Sequence, residues 1–347
     1  MTGKKGIKVL IVDDSAIVRK IIAEILLTCP DIQSVTTAPD AFVARHKILV
    51  ERPDVITLDL EMPGMDGMTF LKKLMHYHPI PVIVISSLAQ TGCQLSLEAL
   101  RLGAIDVLQK PGGPYSVGDM KQDLPAKVRT AAEARIRSSP PEPERAACRV
   151  PAASRSAAVI AIAASTGGVH AVEEVLRPLS GDCPGIVIAQ HIPAGFSAAL
   201  AQRLDQICAI RVREAADGDL VVAGQALIAP GNRHLLLHQS ANGYRVSLSD
   251  APSVCFQRPS ANVLFESVAE AASGDAVGVI LTGMGSDGAE GLLAMRRSGA
   301  WTIAQSPETC VVFGMPKQAI QLGAVDHVLP LSGIGSALKT GICRKRT

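Results

Sequence analysis

VIAIAASTGG, residues 159–168, is a short run of small and β-branched apolar residues that ends on Ser165 and passes into Thr166, Gly167 and Gly168. It is too short for a buried helix and is closed by glycines, so it reads as a strand covered on both faces, with a helix starting at the Gly-Gly step. The same grammar recurs at IVIAQ (186–190), ALIAP (226–230) and VGVILTG (277–283), with helix-like stretches such as 193–207 and 288–298 between. Strand alternating with helix predicts a right-handed, doubly wound parallel sheet, whose functional groups sit at the C-terminal strand ends. YRVSLS at 244–249 follows an Asn-Gly pair and alternates like a hairpin strand, and RHLLLH at 233–238 reads as a strand edge.

Outward from this set, the N-terminal part carries its own series: IKVLIV (7–12), VITLDL (55–60) and PVIVI (81–85), again separated by helix-spaced stretches. Between the two series, residues 129–157 hold four prolines, many Ala and Arg, and no sustained apolar face. That segment reads as a linker, helical at its start. With 347 residues the chain suits two domains. The expected division is 1–128, linker 129–157 and 158–347, both domains being α/β. Hydrophobic residues make up 48% and aromatics 3%, so both cores are to be built from Ala, Val, Ile and Leu.

A net charge of +2 argues against holding nucleic acid or anionic lipid through bulk electrostatics, and the basic run at 344–346 is a solvated end. The eight cysteines contain no C-x-x-C pair, which suggests neither a zinc site nor a disulfide framework. Lys4 and Lys5 lead directly into VLIVDDS with no secretory h-region, and no apolar run reaches membrane-spanning length. A cytoplasmic protein without membrane insertion is expected.

In the N-terminal series Asp13 and Asp14 close the first strand, Asp59 a later one and Ser86 the next, while Lys110 follows the apolar stretch in AIDVLQKP. A doubly wound sheet brings these ends into one shallow pocket. Clustered carboxylates repel unless a hard cation joins them, so Mg²⁺ is implied. One carboxylate can then attack a phosphoryl donor while Mg²⁺ and Lys110 neutralise the developing charge. The segments VDDS (12–15), DLEMPGMDG (59–67), SS (86–87) and GAIDVLQKP (103–111) resemble the receiver domain of bacterial response regulators, a flavodoxin-like fold. The resemblance implies Asp59 as phospho-acceptor, Asp14 as a direct Mg²⁺ ligand, Asp13 acting through water and the Glu61 carbonyl as a further ligand. It also implies that Ser86 and Lys110 contact the phosphoryl oxygens. Many receivers carry an aromatic residue three positions before the lysine; Val107 stands there in this chain, which puts the aromatic rotamer switch in question.

In the C-terminal series, Ser165 in a strand–turn–helix joint can project its hydroxyl beside backbone N–H groups able to hold an oxyanion. It could equally cap the helix. His191 closes the strand IVIAQ at the same sheet edge, where an imidazole can serve as base or be buried in its own hydrogen bonds. Asp287 lies in GMGSDG (283–288) and could orient that imidazole. The same segment is a literal G-x-G-x-x-G with Glu308 about twenty residues on, the spacing of a dinucleotide site. Against a cofactor, the motif falls late in its domain and Asp287 would face the incoming pyrophosphate.

AIAASTGG (161–168), QHIPAGFS (190–197), APGNRHLLL (229–237), TGMGSDGAEG (282–291) and AQSPETCVVFGMPKQAI (304–320) resemble the chemotaxis protein-glutamate methylesterases over about 158–335. The resemblance implies a doubly wound catalytic domain with Ser165 as nucleophile, His191 as general base and acid, and Asp287 as its partner. The backbone N–H groups of Thr166 and Met284 would line the oxyanion hole, and the esterase step needs no cofactor. The implied substrates are γ-glutamyl methyl esters, and glutamine amides, of methyl-accepting chemotaxis receptors, with a chemotaxis histidine kinase as phosphodonor and a monomeric chain. Two departures stand out: Ala163 where the family usually has Gly, and Gln257 where it commonly has His. An extra methyl at Ala163 could tighten the turn or crowd the substrate, and activity is expected to survive because all three reacting groups are present. The rival reading is a non-catalytic two-domain signalling response regulator; a DNA-binding regulator lacks a helix-turn-helix candidate or basic stripe.

Overall fold

The computed structural model describes residues 6–87, 89–111, 117–134 and 159–342. The chain divides into two compact units, 1–140 and 141–347.

The first unit begins with β1 (Ile7–Val12), α1 (Ala16–Leu27), β2 (Ile32–Ala38), α2 (Ala41–Glu51) and β3 (Val55–Asp59). It continues with α3 (Gly67–Tyr77), β4 (Val82–Ser86), α4 (Gln90–Arg101), β5 (Asp106–Gln109) and α5 (Val117–Glu133). The five strands form a parallel sheet in the order β2-β1-β3-β4-β5. Every residue of β3 and β4 is buried, as continuous apolar runs require when helices cover both faces. β2 (IQSVTTA) lies at the sheet edge, half-buried and mostly polar, so its sequence carries no apolar run to announce it. Polar side chains start the helices: Ser15 Oγ accepts from Val18 N at 3.4 Å, and Asp40 Oδ1 accepts from Phe42 N and Val43 N, each at 2.8 Å. α5 runs on to Glu133, so the helical start expected of the linker is the last turn of this unit. Arg129 fastens it through Asp31 (2.6 Å) and Lys127 through Asp106 (2.7 Å). The rest of the expected linker, from 135, lies outside the described residues.

The second unit opens with β6 (Val159–Ala164), α6 (Gly168–Leu176), β7 (Gly185–Gln190), α7 (Phe196–Ile207) and β8 (Arg211–Glu214). Next come β9 (Leu220–Val221), β10 (Gln225–Ile228), the hairpin β11 (His234–Ser240) and β12 (Gly243–Ser249), and α8 (Ala261–Ala272). The unit closes with β13 (Ala276–Ile280), α9 (Ala289–Arg297), β14 (Trp301–Gln305), α10 (Met315–Gln321), β15 (His327–Leu329) and α11 (Leu331–Ile342). Seven strands form a parallel sheet, β15-β14-β13-β6-β7-β10-β8, and β11-β12-β9 form a small antiparallel sheet. Ala241 and Asn242 turn β11 into β12, with Ser240 opposite Gly243, so the glycine of the Asn-Gly pair already belongs to the strand. His234 is buried there, with Nε2 at 3.1 Å from Pro252 O and Nδ1 accepting from Ser260 N at 3.1 Å. Both nitrogens are thus engaged in structure.

The centre of the large sheet, β13-β6-β7, is made of Ala, Val, Ile and Gly at almost no exposure. Small residues let helices approach closely: a Cβ on Gly278 would lie 2.5 Å from Leu292 Cδ1 on α9. The chain runs from β6 to β7 on one side of β6, then returns to place β13 on the other. That reversal makes the C-terminal ends of β6, β7 and β13 a topological switch point, the place where open α/β sheets bind ligands. Ala163 is fully buried in β6, paired between Ala189 and Ile280 within the apolar core. Of the two effects open to it, its methyl packs into the core and does not crowd the site.

Candidate active site

The three strand ends are tied by backbone hydrogen bonds that continue past the sheet. Leu281 N donates to Ala163 O (2.8 Å), Ser165 N to Thr282 O (3.0 Å) and His191 N to Ala164 O (3.0 Å). Helix α6 does not begin on the serine: its first-turn boundary is Gly167, at φ 77°. The capping role open to Ser165 is therefore taken by a glycine in the left-handed region, and the serine stays in the joint between strand and helix. Gly283 passes so close that a Cβ there would sit 2.7 Å from Ser165 Cβ. Only glycine allows the 283–288 turn to lie against the serine.

The His191 side chain is 5% exposed, and its Nε2 lies 2.8 Å from Asp287 Oδ2. Its other ring nitrogen, Nδ1, is buried and has no hydrogen-bond partner. Asp287 is held on all sides. Oδ1 accepts from Ser260 Oγ (2.7 Å) and Asn262 N (3.0 Å), and Oδ2 also accepts from Ala261 N at 2.7 Å. Those donors are the start of α8, so the carboxylate sits on a helix N-terminus. Burial alone would raise its pKa; the hydrogen bond and charge of His191, with the donors from Asn262 and Ser260, outweigh burial and lower it. The acid inside the G-x-G-x-x-G turn thus faces a helix start and an imidazole, which leaves no place for a pyrophosphate.

Several residues that hold this arrangement escaped the sequence reading. Gln190 is buried, and its Nε2 donates to the carbonyls of Ser165 (3.0 Å) and His191 (3.2 Å), bridging two strand ends. Thr282 Oγ1 lies 3.0 Å from Thr166 O and accepts from Val312 N at 3.0 Å, while Gln305 Oε1 accepts from Thr282 N at 2.8 Å. Asn262 Oδ1 accepts from Gly288 N and Gly291 N, each at 2.9 Å. Ser260 carried a legible signal, a serine just before an apolar helical run, and it does cap α8 through Val263 N at 3.4 Å. Thr166 is buried beside the serine, and Met284 is 41% exposed.

In the first unit the strand ends meet as the topology requires. One carboxylate oxygen from each of Asp13, Asp14 and Asp59 lies within 4.8 Å of the others. Lys110 Nζ is 2.7 Å from Asp59 Oδ2 and 3.5 Å from Asp13 Oδ2. Asp59 Oδ1 accepts from Glu61 N at 3.1 Å, and Asp13 Oδ1 from Ser15 N at 2.8 Å. Ser86 is buried at the neighbouring strand end, its Oγ donating to Gly92 O at 3.2 Å. Burial pushes the Asp13 carboxyl up to about 6, opposed by the Lys110 ammonium and reinforced by Asp59. Burial works to lower Lys110, yet its bonds to Asp59 and Asp13 raise it. Asp13 Oδ2 is buried with only the Lys110 ammonium, 3.5 Å away, facing it and no close hydrogen bond. A cation among these oxygens satisfies that atom and relieves the repulsion, so the donor set fits a hard divalent ion. Val107 is buried in β5.

A strand-end serine beside an imidazole held by a buried carboxylate is the arrangement of serine hydrolases, here on one chain with a lysine-closed acidic pocket of the phospho-acceptor kind. Family comparison agrees for both units. The model of the CheB methylesterase family matches residues 160–338, and that of the response regulator receiver domain matches residues 9–119. The chain is 53% identical to protein-glutamate methylesterase/protein-glutamine glutaminase 2 of Syntrophus aciditrophicus, over 96% of this chain and 98% of that protein. It is 50% identical to the protein-glutamate methylesterase/protein-glutamine glutaminase of Bordetella parapertussis, over 97% of each. The crystal structure of the Thermotoga maritima CheB methylesterase catalytic domain superposes with TM-score 0.51 at 37% identity, covering 53% of this chain and 97% of that one. The chain belongs to the CheB methylesterase family, with a receiver domain ahead of the catalytic domain.

Proposed function

We propose that this chain hydrolyses γ-glutamyl methyl esters of chemotaxis receptors, and deamidates their glutamines, through Ser165, His191 and Asp287. The observation that carries the reading is the imidazole of His191: Nε2 is fixed on Asp287, Nδ1 is buried without a partner, and His191 N bonds the carbonyl of Ala164, the residue before Ser165. Nδ1 is then the nitrogen that takes the proton. Ser165 Oγ attacks the ester carbonyl carbon as its proton passes to Nδ1, and the resulting oxyanion is met by the backbone N–H groups of Thr166 and Met284. The tetrahedral intermediate collapses by breaking the bond to the methoxy oxygen, which leaves as methanol with the proton from Nδ1. Water, deprotonated by the same nitrogen, cleaves the acyl-enzyme to a free glutamate. With an amide substrate the leaving group is ammonia. No cofactor enters these steps.

Asp59 is the phospho-acceptor of the receiver, supplied by a chemotaxis histidine kinase, and Ser86 and Lys110 contact the transferred phosphoryl group. Asp14, Asp59 and the Glu61 carbonyl would hold Mg²⁺, with Asp13 acting through water. Bound there, the ion supplies positive charge for the phosphoryl oxygens. The chain acts as a monomer in the cytoplasm, on the receptors' cytoplasmic helices; among the described residues no helix is long and apolar enough to cross a membrane. Its domains are the receiver, through α5, the linker that follows to 157, and the catalytic domain from 158. A non-catalytic signalling pair is disfavoured by relatives at about half identity over nearly the whole chain that are named as enzymes. Methanol release from methylated receptor is the test. Ser165→Ala is expected to lower it at least about a thousandfold, and release equal to that of the unsubstituted chain refutes the triad.

A further inference from the structure

A hairpin tip beside the triad's carboxylate is built against the preference of its own residues. Val254 and Gln257 exchange both backbone hydrogen bonds, Val254 N to Gln257 O at 3.1 Å and Gln257 N to Val254 O at 2.9 Å. Cys255 and Phe256 are therefore the two central residues of a two-residue loop. Both have positive φ, 51° and 62°. That combination suits Asn-Gly and is unfavourable for a phenylalanine. Phe256 is also 94% exposed, more than any other large hydrophobic residue described, and Val254 on the same hairpin is 37% exposed. The ring adds nothing to the core and holds its backbone in a strained conformation, a combination that marks functional loops.

The loop is anchored. Arg258 Nη1 donates to the carbonyls of Asp250 (3.0 Å) and Ala251 (3.1 Å), and its Nε and Nη2 donate to Asn232 Oδ1 at 3.0 and 2.7 Å. Asn262 Nδ2 donates to Cys255 Sγ at 3.7 Å, and Asn262 N donates to Asp287 Oδ1 at 3.0 Å. One residue thus joins the tip of the hairpin to the acid that orients His191. A protein side chain entering this site brings its flanking surface across the bordering loops, and Phe256 is the apolar group they hold out.

We propose that Phe256 is a docking residue for the protein substrate, its ring packing against an apolar side chain of the receptor helix next to the modified glutamate. The proposal rests on Ser165, His191 and Asp287 as the esterase centre, and adds that substrate choice depends on an apolar contact outside it. Exposed aromatic anchors of this kind concentrate binding energy when they become buried.

The test uses the full chain with a small phosphodonor and two substrates: methylated receptor, and a short peptide with one γ-methyl glutamate, too small to reach the hairpin. Phe256→Asn removes the ring while supplying a residue that accepts the left-handed conformation. It is expected to raise KM for the receptor about tenfold, leave the peptide rate unchanged and keep or raise the melting temperature. Phe256→Leu is expected to retain most of the receptor rate. An unchanged receptor KM in Phe256→Asn overturns the proposal. So does an equal loss on both substrates, which makes the loop a wall of the site, or a gain on both without phosphodonor, which seats the receiver on the ring. Ser165→Ala active on the peptide would instead refute the esterase centre itself.

Discussion

Asp287 serves two neighbours with one carboxylate. It orients His191 through Oδ2, and it accepts from Ser260 Oγ and the N–H groups of Ala261 and Asn262 where α8 begins. An amide in its place must point its NH₂ at one or more of those donors. Asp287→Asn is therefore expected to cost about 2–4 kcal/mol of stability as well as on the order of a ten-thousandfold in kcat, since the imidazole loses its fixed tautomer. The pH dependence follows from the lowered pKa. A carboxyl depressed in the folded state stabilises fully above its unfolded pKa, near 3.8, and loses that stabilisation as pH falls through its folded value. The gap in urea midpoint between the native chain and Asp287→Asn should stay constant from pH 8 to pH 5 and close below pH 4; a gap that narrows already at pH 6 excludes the carboxylate as its source. Ser165, His191 and Asp287 were each legible as strand-end residues. The donors around Asp287 were not, because only the return of α8 against the 283–288 turn brings residues 260–262 to it.

At the scale of elements, the site depends on how α6 leaves β6. Gln190, at the end of β7, reaches across to the carbonyls of Ser165 and His191, and Gly168 at the start of α6 leaves it room. A Cβ on Gly168 would lie 2.3 Å from Gln190 Oε1 and 2.7 Å from Ala164 Cβ. Gly168→Ala is expected to destabilise the catalytic domain by about 1–3 kcal/mol and to lower kcat/KM by pushing the glutamine off its carbonyls. In a Gln190→Ala background the same change should cost less, because the nearest clashing atom is gone; equal costs in thermal unfolding would separate the two residues. The central strands β3, β4, β6, β7 and β13 were readable because burial on both faces writes a continuous apolar run into sequence. β2, β8 and β9 were not. β2 and β8 lie at sheet edges, where half-exposed positions admit Gln, Ser, Thr, Arg and Glu and the period is lost, and β9, Leu-Val, is only two residues long.

At the scale of the whole molecule, a phospho-acceptor pocket and an esterase centre share one chain, and their coupling is measurable. Asp59→Asn is expected to abolish stimulation of methanol release by a small phosphodonor while keeping the basal rate. The catalytic domain alone, from about residue 157, should exceed the unphosphorylated full chain; identical rates would remove an inhibitory role for the receiver. By itself the sequence determined the two α/β units, the order of their strand ends and the chemical groups those ends carry, because strand period and glycine turns are local properties. It could not decide whether Ser165 caps a helix, whether the G-x-G-x-x-G turn meets a phosphate or an imidazole, or whether the Ala163 methyl faces substrate or core. Each of those depends on residues brought together from distant parts of the chain: Gly167 taking the cap, α8 packing on the turn, β7 and β13 closing over β6. Tertiary structure alone supplied them, since a side chain's role at a strand end is set by the neighbour that the fold places against it.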